Sequence, residues 1–423
     1  MKLIKGFKDI YPLSDKVVEN TSIFNSVKEI ITEIAKRYNF QEIITPVIEN
    51  KDTFTTGIGS DTDIVSKEMY DFYLFKEGKV DKSSIYSLRP EGTAAVIRSY
   101  IEQSMDKKRK INKLYYFGPM FRYERSQKGR YRQFNQMGIE LIGSDNIYYE
   151  YEIISLAIDI LENLEIKNFD LEINSIGNEQ SLKKLSKEVI KFTEQNKSKI
   201  NSDDLQIVKK NPLRFLDKAI NKYNFKDVPR AEEFLDNNSK SRFKDLTDIL
   251  DENKILYKIN NQLVRGIDYY NDLVFEIKSS ELGSQDTILA GGRYDNLVKK
   301  FNGSQTSCVG FAAGVERLLL LLSNQFIQKI EISTEFYVIY QNQSFHNYAN
   351  EVTKMLRKLG KNVEMDQEYR SFTKQLKHAN KIKSKKVVII GEKEYKNKQI
   401  LLKDMITGQE ELFDIGKLST KIT

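Results

Sequence analysis

The hydrophobic pattern changes period several times along this 423-residue chain. Over 17–38, Val17, Ile23, Val27, Ile30, Ile31 and Ile34 recur at helical spacing and predict an amphipathic helix. FQEIITPVIEN (40–50) then alternates as a strand does, and Pro46, which cannot donate to a ladder, puts it at an edge or an interface. IYSLRPEGTAAVIRSYIE (85–102) reads as a strand end, a turn at Pro90–Gly92 and a helix whose first turn holds Thr93. KLYYFGPMFRYER (113–125) and QFNQMGIELIG (133–143) are β-rich arms around the polar SQKGRYR, a hairpin with a charged tip. From 147 to 255 the period is helical, broken by one strand, FDLEINSIG (169–177), and 178–253 reads as an inserted helical module. Strand texture returns in LYKINNQLVRGIDYYNDLVFEIKS (256–279). A glycine turn at Gly291–Gly292 follows, and then SCVGFAAGVERLLLLL (307–322), a strand entering an apolar helix. The tail from 333 alternates strand, helix, strand, helix, strand, the texture of a small separate α/β domain.

Composition narrows the chemistry. Hydrophobic residues at 40% and charged ones at 30% fit a globular protein of two or three domains. The longest aliphatic run, Leu318–Leu322, is too short to span a bilayer, and MKLIKGFKDI lacks the apolar stretch of a signal peptide. The single cysteine, Cys308, excludes an internal disulfide and a cysteine zinc cage, so a cytoplasmic location is expected. From residue 333 onward, 17 Lys+Arg stand against 11 Asp+Glu, nearly all of the net +7. That basic tail suits a polyanionic partner or, equally, a lysine-rich solvated surface. Only two histidines exist, His346 and His378, both in the tail. A Ser-His-Asp triad or histidine metal site therefore cannot form in the first 345 residues. No Gly-Lys pair is followed by Ser or Thr, so a Walker A loop is absent too. A nucleotide, if bound, must be met by arginines and carboxylates.

Four segments could supply them. Arg122 and Glu124 lie two apart on the first hairpin arm and share a face if it is a strand. They form a phosphate cradle or a cross-strand ion pair. Gln136 and Glu140 share a face of the returning arm, lining a polar pocket or the wet side of the strand. Arg265 interrupts an apolar strand, where it faces an anion or snorkels outward, and of the consecutive Tyr269 and Tyr270 a strand would admit one to the same side. Arg317 stands in the first turns of a helix after a glycine-rich strand, a position that favours anions.

Together these segments resemble the histidyl-tRNA synthetase family. The resemblance is carried by Lys5–Ile10, LRPEGTA (88–94), FGPMFRYERSQKGRYRQFNQ (117–136), LVRGIDYY (263–270), GGRYDNLV (291–298) and VGFAAGVERLLLLL (309–322), in order across nearly the whole chain. The hairpin and the GVER helix look like the second and third class II signature motifs, and TPVIE (45–49) like the end of the first, which forms a dimer interface. The resemblance implies an α+β fold: a class II antiparallel sheet flanked by helices over 1–325, a helical insertion at about 178–253, and an α/β anticodon-binding domain over 333–423. It implies a homodimer that ligates L-histidine to histidine tRNA through a histidyl-adenylate, with ATP as substrate and Mg2+ accompanying it. By the same resemblance Arg122 contacts the α-phosphate, Arg265 lies between it and the substrate carboxylate, and both are catalytic. Arg317 takes the distal phosphates and Glu124 the adenine side. Glu91, Thr93 and Gln136 hold the α-ammonium, Glu140 and Tyr270 meet the imidazole, and Gly92 and Tyr269 also belong to the histidine site. Lys128, Arg130 and Arg132 at the hairpin tip meet the tRNA acceptor end or ATP. The sequence departs from the family pattern at Ser126, Asn135, Asn261, NDL (271–273) and Ala290, none a proposed contact. A non-catalytic regulatory paralogue is the main rival, and the retained Arg265 and basic tail oppose it.

Overall fold

A computed structural model describes residues 2–422 apart from 126, 128, 219–221, 224, 226, 284–285 and 331–333, with the backbone alone for 217–218. The chain forms two compact units, Met1–Lys329 and Ile330–Thr423. In chain order the first holds β1 (Gln41–Glu42), β2 (Ile48–Asn50), β3 (Tyr70–Lys76), β4 (Lys79–Leu88), β5 (Asn112–Phe121), β6 (Gln133–Ile142), β7 (Asp170–Ser175), β8 (Lys258–Ile259), β9 (Asn271–Lys278), β10 (Thr287–Arg293) and β11 (Cys308–Gly314). The second holds β12 (Phe336–Tyr340), β13 (Val363–Met365), β14 (Lys386–Ile390), β15 (Gln399–Asp404) and β16 (Glu410–Asp414).

The main sheet runs β1-β5-β6-β11-β10-β9-β7-β8, antiparallel from β5 through β7 with a parallel strand at each edge. Its middle strands alternate, one face apolar and the other carrying Gln136 and Glu140 of β6. Met137, Ile139 and Leu141 of β6 and Val309 and Phe311 of β11 are buried. The helix Thr21–Arg37 starts where Asn20 Oδ1 accepts from the Ser22 and Ile23 N–H groups. It buries Ile23, Val27, Ile31 and Ile34, the stripe its spacing predicted. The helix Tyr148–Asn163 buries Ile153, Ile154, Ala157 and Ile160 likewise.

Five local expectations change. Gly291–Gly292 are not a turn but lie inside β10, paired with Phe311 and Gly310 of β11, where a side chain would meet neighbouring strands. The 40–50 segment is two short strands in different sheets, β1 beside β5 and β2 beside β4, parted at Ile43–Val47 around Pro46. β3 and β4 form a hairpin that periodicity missed, turned by Glu77 (φ 51°) and Gly78 (φ 76°). Arg122 and Glu124 lie beyond β5, not in it. The ladder ends at Phe121↔Gln133, one further bond joins Arg122 N to Arg132 O, and Tyr123 N then turns away to Glu68 O. Arg265 is not in a strand either. β8 stops at Ile259, Leu263 N turns back onto Asn260 O, and Asn174 Nδ2 holds the Leu263 carbonyl at 2.9 Å, so 260–270 leave the sheet until β9 begins.

The second unit has sheet order β13-β12-β14-β15-β16, parallel across β13, β12 and β14 and antiparallel beyond. Helices His346–Lys358 and Phe372–Lys381 cover opposite faces. Val338 and Val388 pack with Val352 and Leu356 on one side, and Tyr337, Ile339 and Val387 with Ala379 on the other. The closing strands β15 and β16 were not foreseen.

Candidate active site

One cavity of about 340 Å³ opens on the face of the main sheet that carries Gln136 and Glu140. Glu91, Thr93, Arg122, Glu124, Arg265, Tyr269, Tyr270 and Arg317 border it as well. Of the residues expected here only Gly92 is not a wall. Its N–H instead donates to Gln136 Oε1 at 3.2 Å.

The floor is polar and buried. Glu140 is 1% exposed, between Leu114 of β5 and Gly310 of β11. A Cβ on Gly310 would meet its Oε2 at 2.3 Å, so only glycine leaves room for the carboxylate there. Thr93 Oγ1 donates to Glu140 Oε1 at 2.6 Å, and the Tyr294 hydroxyl donates to Oε2. Burial pushes the Glu140 carboxyl up to about 8, opposed by these two donors. Glu91 accepts from the Thr93 and Ala94 N–H groups at 2.7 and 2.8 Å, at the N-terminus of the helix Thr93–Glu102. Burial raises its carboxyl too, while those amides and Arg122 pull it back. Tyr116 Oη donates to Gln136 Oε1 at 3.1 Å across Gly138, where a Cβ would strike the tyrosine ring at 2.2 Å.

Arginines ring the upper wall. Arg122 Nε donates to the Pro90 carbonyl at 2.8 Å, and its guanidinium lies 5.2 Å from the Phe134 ring centre. Arg265 pairs with Glu276 of β9, and Arg317 donates to the Thr287 carbonyl. Arg130 joins them, paired with Glu124 at 3.2 Å. Burial lowers the Arg317 pKa, with Arg130 and Arg122 adding repulsion and Glu124 opposing it. Several guanidinium groups crowding one cavity make it a receptor for an anion.

Because 264–270 leave the sheet, Tyr269 and Tyr270 both face the cavity, their ring centres 4.7 Å apart. A strand would have sent one to each side. Burial raises both phenols, Tyr270 to about 12, so both are neutral donors near pH 7.

Several positions carry more than their motifs announced. Tyr294, inside GGRYDNLV, borders the cavity and donates to Glu140. Its neighbours anchor it: Arg293, 1% exposed, donates to Asp295 Oδ1 at 2.8 Å and Glu150 Oε1 at 3.0 Å. Asp295 in turn accepts from the Cys308 N–H at 2.8 Å. Arg89 of LRPEGTA serves structure, donating to the Thr45 and Pro119 carbonyls at 2.8 and 2.9 Å. Glu316 of GVER accepts from Asn135 N at 3.0 Å and Nδ2 at 3.2 Å, and pairs with Lys8 at 3.2 Å. Asn135, a departure from the family pattern, is thus bonded into the wall. At the hairpin tip Ser126 and Lys128 lie outside the described residues. Arg132 is held inward over the Tyr123 ring, 3.9 Å from its centre, its N–H donating to the Gly6 carbonyl.

Residues 13–318 match the family model for histidyl-tRNA synthetase, and 335–423 that for an anticodon binding domain. The chain is 41% identical to the histidine–tRNA ligase of Prochlorococcus marinus (strain AS9601), over 95% of this chain and 92% of that one. To the chloroplastic histidine–tRNA ligase of Porphyra purpurea it is 38% identical, over 100% and 96%. Among solved structures, apo histidyl-tRNA synthetase of S. aureus superposes with a TM-score of 0.80 at 31% identity, covering 100% of this chain and 99% of that one.

Proposed function

The chain belongs to the histidyl-tRNA synthetase family and is a histidine–tRNA ligase that uses ATP; from that premise we propose how its pocket divides the work. The histidine α-carboxylate attacks the α-phosphorus of ATP. The bond from that phosphorus to the bridging oxygen breaks, giving histidyl-adenylate and pyrophosphate. A hydroxyl of the tRNA's terminal adenosine then attacks the adenylate carbonyl, losing its proton as AMP departs.

Neither step requires a protein nucleophile. Charge builds on phosphate oxygens, and fixed cations in a water-poor cavity stabilise it. The crowding of Arg122, Arg130 and Arg317 supports this assignment. Arg122 binds the α-phosphate, Arg265 bridges it to the substrate carboxylate, and Arg317 takes the distal phosphates with Glu124 at the adenine. Arg265 reaches the reaction by exchanging its Glu276 partner for the two substrates.

Histidine lies over the floor. Its ammonium meets Glu91, Thr93 and Gln136, with the Gly92 amide holding Gln136 in place. A neutral imidazole has one N–H and one bare nitrogen. Glu140 accepts from the first, Tyr270 donates to the second, and Tyr269 packs beside it. Buried partners of this kind reject analogues that lack a matching group far better than an apolar pocket does.

Magnesium enters with the nucleotide, since the ion binds chiefly through phosphate oxygens, water and one or two carboxylates. Among the described residues no group of three or more His, Cys, Asp or Glu is arranged to hold a metal. The anticodon-binding unit carries the tRNA contact of the basic tail. The protein works as a homodimer in the cytoplasm. Ile44 (83% exposed), just before TPVIE, and Ile48 (48%), within it, are the apolar residues a second subunit would cover. Among the described residues no helix is long and apolar enough to cross a membrane.

The test is ATP–pyrophosphate exchange with each of the twenty amino acids. Exchange should depend on histidine alone, and Arg265→Lys should lose about 100-fold or more in kcat/KM while folding normally, because an ammonium cannot bridge two oxyanions as a guanidinium does. A lysine variant near wild-type rates removes Arg265 from the mechanism.

A further inference from the structure

Two side chains of the helical insertion reach the cavity walls from behind without bordering the cavity. Asn211 and Arg214 stand at the start of the short helix Pro212–Lys218. Asn211 Oδ1 accepts from the Arg214 N–H at 3.3 Å, which fixes the amide and turns its Nδ2 onto Asp268 Oδ1, 2.6 Å away. Arg214 is 8% exposed. Its Nη1 donates to the Asp61 carbonyl at 2.6 Å, and its Nη2 pairs with the Asp63 carboxylate.

The partners belong to two walls of the active site. Asp63 and Ile64 border the cavity on one side. Asp268 sits among the wall residues Arg265, Ile267, Tyr269 and Tyr270 on another. It also ties the walls together, its N–H donating to the Ile58 carbonyl at 3.4 Å and its carboxylate lying against Gly59. Gly59 has φ +103°, and any Cβ there would meet Asp268 Oδ2 at 2.7 Å. Behind the 264–270 segment lies a second cavity of about 160 Å³, bordered by Asn211, Arg265, Asp268 and Tyr270 together with apolar side chains such as Leu182 and Leu213. With a cavity on either side, the segment relies on its polar ties as well as on the packing of Val264, Tyr269 and Tyr270 to fix where it stands.

We infer that Asn211 and Arg214 are positioning residues for adenylate formation: acting through Asp268 and Asp61–Asp63, they brace the two walls that carry Arg265, Tyr270 and Ile64. This rests on the roles given above to Arg265 and Tyr270. A displacement of about 1 Å at such groups costs about 100-fold in rate, so a brace outside the pocket controls chemistry inside it. The exposed Asn211 tie is the weaker of the two, and the buried Arg214 pair the stronger.

The test uses the full-length protein in histidine-dependent exchange, with rates expressed per active site titrated by adenylate formation, so that unfolded molecules do not count. Asn211→Asp keeps an acceptor for the Arg214 N–H but removes the donor and sets a carboxylate against Asp268. The KM for histidine should rise about tenfold, the scale of one lost hydrogen bond to a charged group. Adding Asp268→Asn restores a donor and acceptor in the reverse sense and should return KM toward wild type, which a non-specific loss of structure would not do. Arg214→Lys keeps the charge but not the two-pronged contact, and should lower kcat/KM about 100-fold. Unchanged kinetics in both single variants overturn the inference. So does a rise in KM that Asp268→Asn leaves untouched. Arg265→Lys, assayed in parallel, judges the pocket assignment separately, because the brace is read from the KM of its own variants.

Discussion

Glu140 shows what one residue's surroundings imply. Its carboxyl stands at about 8 because burial outweighs the two hydroxyl donors. A raised carboxyl means that the folded state holds the proton more tightly than the unfolded chain. The resulting stability is complete below the unfolded value near 4.5 and is lost as pH rises to about 8, at roughly 1.4 kcal/mol per pH unit at most. The unliganded protein should therefore melt progressively lower between pH 5 and 8, and Glu140→Gln should melt with a shallower slope. Parallel melting curves would show that Glu140 does not titrate in that window. The same variant should bind histidine about tenfold more weakly, read as KM in exchange, since the amide sets an NH2 where Glu140 accepts from Thr93 and Tyr294 and so misplaces the acceptor for the imidazole N–H. At this scale the sequence was legible where a motif had a distinctive spacing: Arg122, Gln136, Glu140 and Arg317 all border the cavity. Tyr294 was not, because a tyrosine between Arg and Asp looks like any other until β10 and β11 set it over Glu140.

At the scale of elements, the hairpin β5–β6 depends on a close approach that no pattern of apolar residues encodes. Tyr116 lies directly across from Gly138, and its ring fills the space a side chain would need. Gly138→Ala should destabilise the protein by about 1–3 kcal/mol through overpacking and should also raise the KM for histidine, since Tyr116 orients Gln136. Chemical denaturation measures the first effect and exchange kinetics the second. An unchanged denaturation midpoint would mean that the ring has room to move. Periodicity read long elements well, as in the helix Thr21–Arg37, but failed at short ones. It joined β1 to β2, and it ran a strand through Arg265 because Val264, Ile267 and Tyr269 are apolar whether the backbone is extended or turned. The β3–β4 hairpin had a signal in Glu77–Gly78, a charged residue and a glycine between β-rich runs, which the apolar pattern alone did not weigh.

For the whole molecule, two compact units with separate cores lead to a division of labour. A chain ending at Lys329 should keep histidine-dependent pyrophosphate exchange and lose tRNA charging. Loss of exchange in a folded fragment would show that the units are not independent. The dimer reading is tested by Ile44→Glu with Ile48→Glu, which should halve the mass measured by light scattering in the full-length protein. The arrangement into units was legible because basic charge and β/α alternation begin together near residue 333, whereas β15 and β16 were lost among the lysines and glutamates that separate their apolar residues. Cys308 offers a different kind of access. It is the one thiol in a chain without tryptophan, wholly buried where β11 meets the Asp295 network under the site, and burial holds it in its unreactive protonated form. Its alkylation rate is therefore a clock for opening of the sheet's centre, readable by mass alone, and histidine with ATP should slow that clock in proportion to how tightly they close the fold around themselves.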